Sequence, residues 1–175
     1  MNESATRLFF ALWPDDATRD ALRDWQRICV PKGARKTHRE DLHLTLHFLG
    51  QVPAEKVVEL KVLGASQAPE TFQLTLGHLG HFSRPGVLWA GPGNVPEGLK
   101  DLHEDLGEGL RELDLSVESR PYRPHVTLAR KVRKLPQDIE LKKINWNVRQ
   151  WGLVRSRPGN LPLYEPIAIW PIGEK

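Results

Sequence analysis

Cysteine is almost missing. With Cys29 alone in 175 residues, no disulfide can close within the chain and no thiolate cluster can hold a metal. The cytoplasm, a reducing compartment, is the expected setting. Long apolar runs are missing too: nothing approaches the roughly 20 residues of a membrane-spanning helix. The opening "MNESATRLFF" lacks the basic segment and sustained apolar stretch of an export signal, so no membrane partner is expected. Charge of one sign is scarce, since 25 Lys and Arg against 22 Asp and Glu leave a net +3. That bias admits an anionic partner without requiring one. Familiar catalytic signatures are absent. "GASQA" at 64–68 is not the Gly-x-Ser-x-Gly elbow of a serine hydrolase and lies in a helical pattern. "GPGNVPEG" at 91–98 has proline where a phosphate-binding helix should begin and no Gly-Lys-Ser/Thr. Ligation driven by a bound nucleoside triphosphate is therefore not expected.

What is present suffices for a globular protein: 39% of the residues are hydrophobic, enough for one compact domain or two small lobes. "RLFFALW" at 7–13 reads as a central strand, and the segment after it as a helix capped by Asp15 or Asp16. A strand over 42–50 follows, then a helix with Pro53 in its first turn. Two further strands meet at a turn around Arg84–Gly86. The second half offers a helix from Glu97 to Leu113, strands at 115–118 and 124–130, and extended stretches at 144–157 and 161–170.

Within this frame "HLTL" at 43–46 recurs as "HVTL" at 125–128, one copy in each half. On a strand, side chains two apart share a face and stand about 7 Å apart, so each copy can present an imidazole and a hydroxyl to one small anion. Two facing copies suit displacement at phosphorus. A neutral histidine takes a proton from the attacking oxygen, a protonated one gives a proton to the leaving oxygen, and threonine hydroxyls hold the non-bridging oxygens. Strict alternation places His47 on the face of His43 and Thr45, and turns Phe48 and Arg130 away unless a strand end or bulge at Ala129 intervenes. A zinc pair from His43 and His47 is disfavoured, because residues four apart on a strand are separated by about 13 Å. His38, His78, His81 and His103 lack a paired motif and read as structural or exposed. Two basic stretches, 32–39 and 120–134, each adjoin a motif.

"RLFFAL", "LHLTLHFLG" and "RPYRPHVTLAR" together resemble the two-histidine phosphoesterase superfamily, and within it the bacterial and archaeal RNA 2′,3′-cyclic phosphodiesterases, also called 2′–5′ RNA ligases. The likeness spans nearly the whole chain. It implies an α+β fold over 1–175 as a single two-lobed domain, with two antiparallel-rich sheets and outer helices enclosing a central cleft. It also implies metal-independent opening of a terminal 2′,3′-cyclic phosphate on RNA to a 2′-phosphate, reversible as 2′–5′ ligation. No cofactor and a monomeric chain are expected. Carried onto this sequence, the resemblance makes His43 the proton donor to the leaving O3′ and His125 the proton acceptor from water. Thr45, Thr127 and Arg130 become phosphate-binding groups. Aromatic residues near such a cleft commonly stack a terminal base, which makes Phe48 a candidate, and Tyr122 is a second by position alone. Two other readings stay open: the same chemistry on a small cyclic nucleotide or ADP-ribose cyclic phosphate, and a non-catalytic RNA-binding module.

Overall fold

The computed structural model describes residues 5–173; the first four residues of the opening segment judged for export lie outside them. Strand β1 (Thr6–Leu12) leads into helix α1 (Asp16–Cys29), whose first turn is closed by the Asp15 carboxylate accepting from the Thr18 amide at 2.8 Å. A two-residue strand β2 (Arg35–Lys36) and a 3-10 turn (Arg39–Asp41) precede β3 (Leu44–Val52). Helix α2 (Ala54–Ser66) follows, with Pro53 one position before it rather than inside its first turn. Then come β4 (Phe72–Phe82), β5 (Val87–Pro92), α3 (Glu97–Glu112), β6 (Val126–Arg130), β7 (Ile144–Val148), β8 (Gln150–Ser156) and β9 (Tyr164–Pro171). No helix among the described residues is long and apolar enough to cross a membrane.

The strands lie in the order β7-β4-β5-β6-β3-β1-β8-β9, all neighbours antiparallel, with β2 on β6. The two expected sheets are the halves of this path, joined where β3 meets β6 through one register pair, Leu44 with Val126. The halves do not follow chain order. Strands β4 and β5 cross over to join β6 and β7, while β8 and β9 return to β1 and β3. Each motif strand therefore sits at the middle of the sheet, facing its counterpart.

The apolar faces close one main core, holding Leu8, Phe10, Leu12, Leu44, Leu74, Leu76, Trp146 and Trp151 fully buried. Each such side chain contributes roughly 1.5–3 kcal/mol by leaving water. Helix α1 buries Leu22, Trp25 and Cys29, and fixes itself on the β6 side by donating from Trp25 Nε1 to the Lys142 carbonyl (2.7 Å) and from Gln26 Nε2 to the Leu128 carbonyl (3.0 Å). The burial that packs Cys29 also raises its thiol pKa to about 11, which leaves it protonated and unreactive.

The expected turn between β4 and β5 is present. Gly86 takes φ +95°, and a Cβ there would lie 2.9 Å from the Val132 carbonyl that crosses over it. The expected strand at 115–118 is not. Asp114, at φ 62°, ends α3 in a left-handed turn, and the Leu115 amide donates back to the Leu110 carbonyl at 3.0 Å. Leu115 and Val117 pack on the core by side chain alone, so the apolar alternation that suggested a strand records burial without a pairing partner.

Candidate active site

The junction pair Leu44–Val126 sets the geometry. His43 and His125 stand one residue before it, Thr45 and Thr127 one residue after, and all four line a single cleft of about 450 Å³. Both imidazoles are held the same way: Nδ1 lies 2.7 Å from the Asp41 carbonyl in one and 2.8 Å from the Arg123 carbonyl in the other, two residues back in each case. A carbonyl oxygen can only accept, so Nδ1 carries the hydrogen and each neutral ring keeps its Nε2 lone pair. His43 Nε2 receives the Thr45 hydroxyl at 3.0 Å.

The rings differ in their surroundings. Phe9, Tyr164 and Trp13 enclose His43, with ring centroids at 4.8, 5.1 and 6.2 Å, and burial depresses its pKa to about 4 against the opposing pull of the Asp41 carbonyl. His125 has Phe82 and Trp89 at 5.2 and 5.9 Å; its pKa is lowered by burial first, with Arg130 and Arg123 adding to the effect. With these shifts both rings are neutral near pH 7.

Two β-bulges decide what else faces the cleft. Opposite β1, Ala11 pairs with Thr45 and Phe10 with His47, leaving Leu46 extra. Opposite β5, Trp89 pairs with Thr127 and Leu88 with Ala129, leaving Leu128 extra. An extra residue reverses the alternation beyond it. His47, expected beside His43 and Thr45, is instead buried away from the cleft, where Nε2 contacts the His103 carbonyl at 2.7 Å and its ring stacks on His103 at 4.2 Å. Phe48, which alternation aims at the core, is 72% exposed and lines the cleft. Arg130 is rescued in the same manner, by a bulge at Leu128, one position before the expected Ala129.

Tyr122 corrects another expectation. Its ring stacks on His103 at 3.8 Å with planes 10° apart, its hydroxyl donates to the Thr45 carbonyl at 2.8 Å, and it is not part of the cleft lining. His103 covers one face of the ring, and the hydroxyl braces β3 at Thr45, next to the bulge. His38 does line the cleft, though its ring is engaged as acceptor for the Glu40 amide at 3.1 Å. His81 is held at 2.6 Å to the Val132 carbonyl.

Sequence reasoning overlooked Asp41. Buried at the cleft floor, its carboxylate accepts from the Leu163 and Tyr164 amides at 3.0 and 2.9 Å, while its carbonyl orients His43. The same i−2 spacing seen at Arg123 and His125 was the available signal. Arg35 and Lys36 of β2, Asn160, Leu161 and Tyr164 also line the cleft. Among the described residues no group of three or more His, Cys, Asp or Glu side chains could hold a metal.

Residues 14–160 match the model of the 2′-5′ RNA ligase superfamily. The chain is 36% identical over 125 residues to the RNA 2′,3′-cyclic phosphodiesterase of Escherichia coli K12, covering 71% of each. It is 32% identical over 151 residues to the protein of that name from Geobacillus stearothermophilus; this match covers 77% of the chain but only 46% of that longer relative. The crystal structure of E. coli LigT complexed with 3′-AMP superposes with a TM-score of 0.85 at 28% identity, covering 97% of this chain and 99% of the other.

Proposed function

Because this chain belongs to the 2′-5′ RNA ligase superfamily, and because its two imidazoles line one cleft with Nδ1 tied to a carbonyl and Nε2 left for acid–base work, we propose that it is an RNA 2′,3′-cyclic phosphodiesterase opening terminal cyclic phosphates to 2′-phosphates. The carrying observation is the matched pair of Nδ1–carbonyl bonds. They fix both rings in the tautomer that a general acid and a general base require.

In the forward reaction His125 Nε2 takes a proton from water as the water oxygen bonds to phosphorus. The P–O3′ bond breaks, His43 Nε2–H protonates O3′, and the phosphate remains on O2′. Both histidines begin near neutral, so the acid must be charged on binding. The anionic cyclic phosphodiester supplies the opposite charge that raises the pKa of a buried imidazole. Thr45 and Thr127 donate to the non-bridging oxygens, Arg130 neutralises the developing charge, and Phe48 stacks the terminal base. Run backwards with a 5′-hydroxyl in place of water, the same exchange gives 2′–5′ ligation. The protein acts as a monomer, as one two-lobed domain, in the cytoplasm where a lone buried thiol is unremarkable.

The test is to incubate the protein in EDTA with 2′,3′-cyclic AMP and with an oligonucleotide ending in a cyclic phosphate, and to identify the product by phosphorus NMR. The expected product is the 2′-phosphate in both cases. A 3′-phosphate product would overturn the assignment of the leaving oxygen, and activity lost in EDTA would overturn the metal-free chemistry. No turnover of either substrate would favour a binding module. Turnover of cyclic AMP but not the oligonucleotide would favour a small-molecule enzyme.

A further inference from the structure

Strand β2, only two residues long, brings the two basic stretches of the sequence side by side. Arg35 lies directly opposite Arg130 in the β2–β6 register, and both line the cleft. Directly opposed residues in an antiparallel pair share a face, with Cβ atoms about 4.5–5.5 Å apart, and like charges there destabilise the sheet. Among the described residues neither guanidinium forms a salt bridge, whereas Arg39 pairs with Asp16, Asp20 and Glu40, and Arg155 with Glu165. The one acid in the cleft lining, Asp41, is buried with both oxygens committed to backbone amides. Two guanidiniums opposed without a counter-ion in a substrate cleft form an anion seat.

We infer that Arg35, set against Arg130, is a second phosphate-binding site that takes the phosphodiester one nucleotide upstream of the cyclic end, making this cleft selective for RNA strands over cyclic mononucleotides. This rests on the function proposed above. The two walls of the cleft differ accordingly. On the His43 side Phe48 and Tyr164 line the cleft, suited to the terminal nucleoside. The β2–β6 side carries Phe82 beside His125 but adds a cluster of cations, with Lys36 next to Arg35, and suits the backbone that leads away from the cyclic end. Arg130 would then face both the reacting phosphate and its neighbour, with Arg35 serving the neighbour alone.

The experiment compares kcat/KM on three substrates: 2′,3′-cyclic AMP, a diadenylate ending in a 2′,3′-cyclic phosphate, and the same diadenylate with a neutral methylphosphonate linkage. For the wild-type protein the natural linkage should exceed both others by about 10- to 100-fold, the range for a hydrogen bond to a charged group. Arg35→Gln should collapse the ratio between natural and methylphosphonate linkages toward one. It should also melt no lower than wild type, because a like-charge opposition has been removed. Equal kcat/KM for the two linkages in the wild type would overturn the inference while leaving the proposed function standing. So would an Arg35→Gln variant that lowers all three substrates by one factor or melts well below wild type. No turnover of any of the three by the wild type would sink the proposed function itself.

Discussion

The segments Leu44–Phe48 and Val126–Arg130 bury their five residues in the same sequence: buried, half-buried, buried, buried, exposed. Each begins after a histidine tied to the carbonyl two residues back, and each carries a bulge at its third residue. Where they differ is beyond the bulge. His47 and Phe48 on one side correspond to Ala129 and Arg130 on the other. In the proposed mechanism the shared part is the acid–base frame, which needs two rings in matched geometry. Under the proposed function the divergent part distinguishes the ends of the substrate, through Phe48 on one strand and Arg130 on the other. A duplicated site can thus keep its chemistry symmetric while its recognition becomes directional.

The largest test of that comparison removes the shared frame. His43→Ala or His125→Ala should lower kcat on cyclic AMP by about 10²- to 10⁴-fold, the usual loss for a general acid or base. His47→Ala should leave kcat of the folded protein within a few-fold while reducing its melting temperature, since His47 is packed against His103. Comparable loss of kcat at His47 would break the correspondence between the segments.

Next in size are the hydroxyls. Thr45→Val and Thr127→Val keep the branched shape that a strand favours and delete one donor, so kcat should fall by about 10²-fold for each. The larger loss is expected at Thr45, which also contacts His43 Nε2. Equal kcat for the two variants and the wild type would place the phosphate elsewhere.

The divergent residues should separate in which constant they move. Phe48→Ala should raise KM for a cyclic mononucleotide by the equivalent of about 1–3 kcal/mol of lost stacking, with kcat nearly unchanged. Arg130→Ala should instead reduce kcat, and Arg130→Lys should restore part of it. If both substitutions moved only KM, the directional reading of the two walls would fail.

The smallest expected effect concerns stability. His43 and His103 are both depressed to about 4, chiefly by burial, and the unfolded chain binds protons near pH 6.5. Between those values the unfolded state holds more protons than the folded one, so stability is lost as pH falls from about 6.5 and levels off below about 4. The melting temperature should therefore be lower at pH 5 than at pH 7. His103→Phe keeps the stack with His47 and Tyr122 and removes one titrating group, so it should narrow that gap. An unchanged gap would show that His103 does not share in the acid lability.

Much of this was legible in the sequence because it depends on local pattern. The His-x-Thr pairs, the Asp15 cap and the β4–β5 turn each follow from residues a few positions apart. What escaped depends on partners. A bulge is defined only against the neighbouring strand, so nothing between Thr45 and Phe48 announces that alternation reverses at Leu46. For the same reason Phe48 and Arg130 were assigned to the cleft only by resemblance, against the rule of alternation. Strand β2 is too short to carry a periodic signal, and Tyr122 looked available because the His103 ring that covers it is 19 positions away in the chain. Asp41 was passed over because its task, accepting from amides 122 and 123 residues distant, leaves no trace in its own neighbourhood.

That span has a consequence for the order in which the enzyme becomes competent. The Asp41 carbonyl aims His43, and the Asp41 carboxylate is anchored by Leu163 and by Tyr164, the first residue of the last strand. As the chain leaves the ribosome, both motifs emerge well before the segment that locks the first of them. Contacts of such high sequence separation form late, after the cost of closing the loop has been met. A nascent chain carrying both histidines but lacking residues 163 and 164 would thus leave the Asp41 carboxylate without its amide partners, and His43 without the anchored carbonyl that aims it.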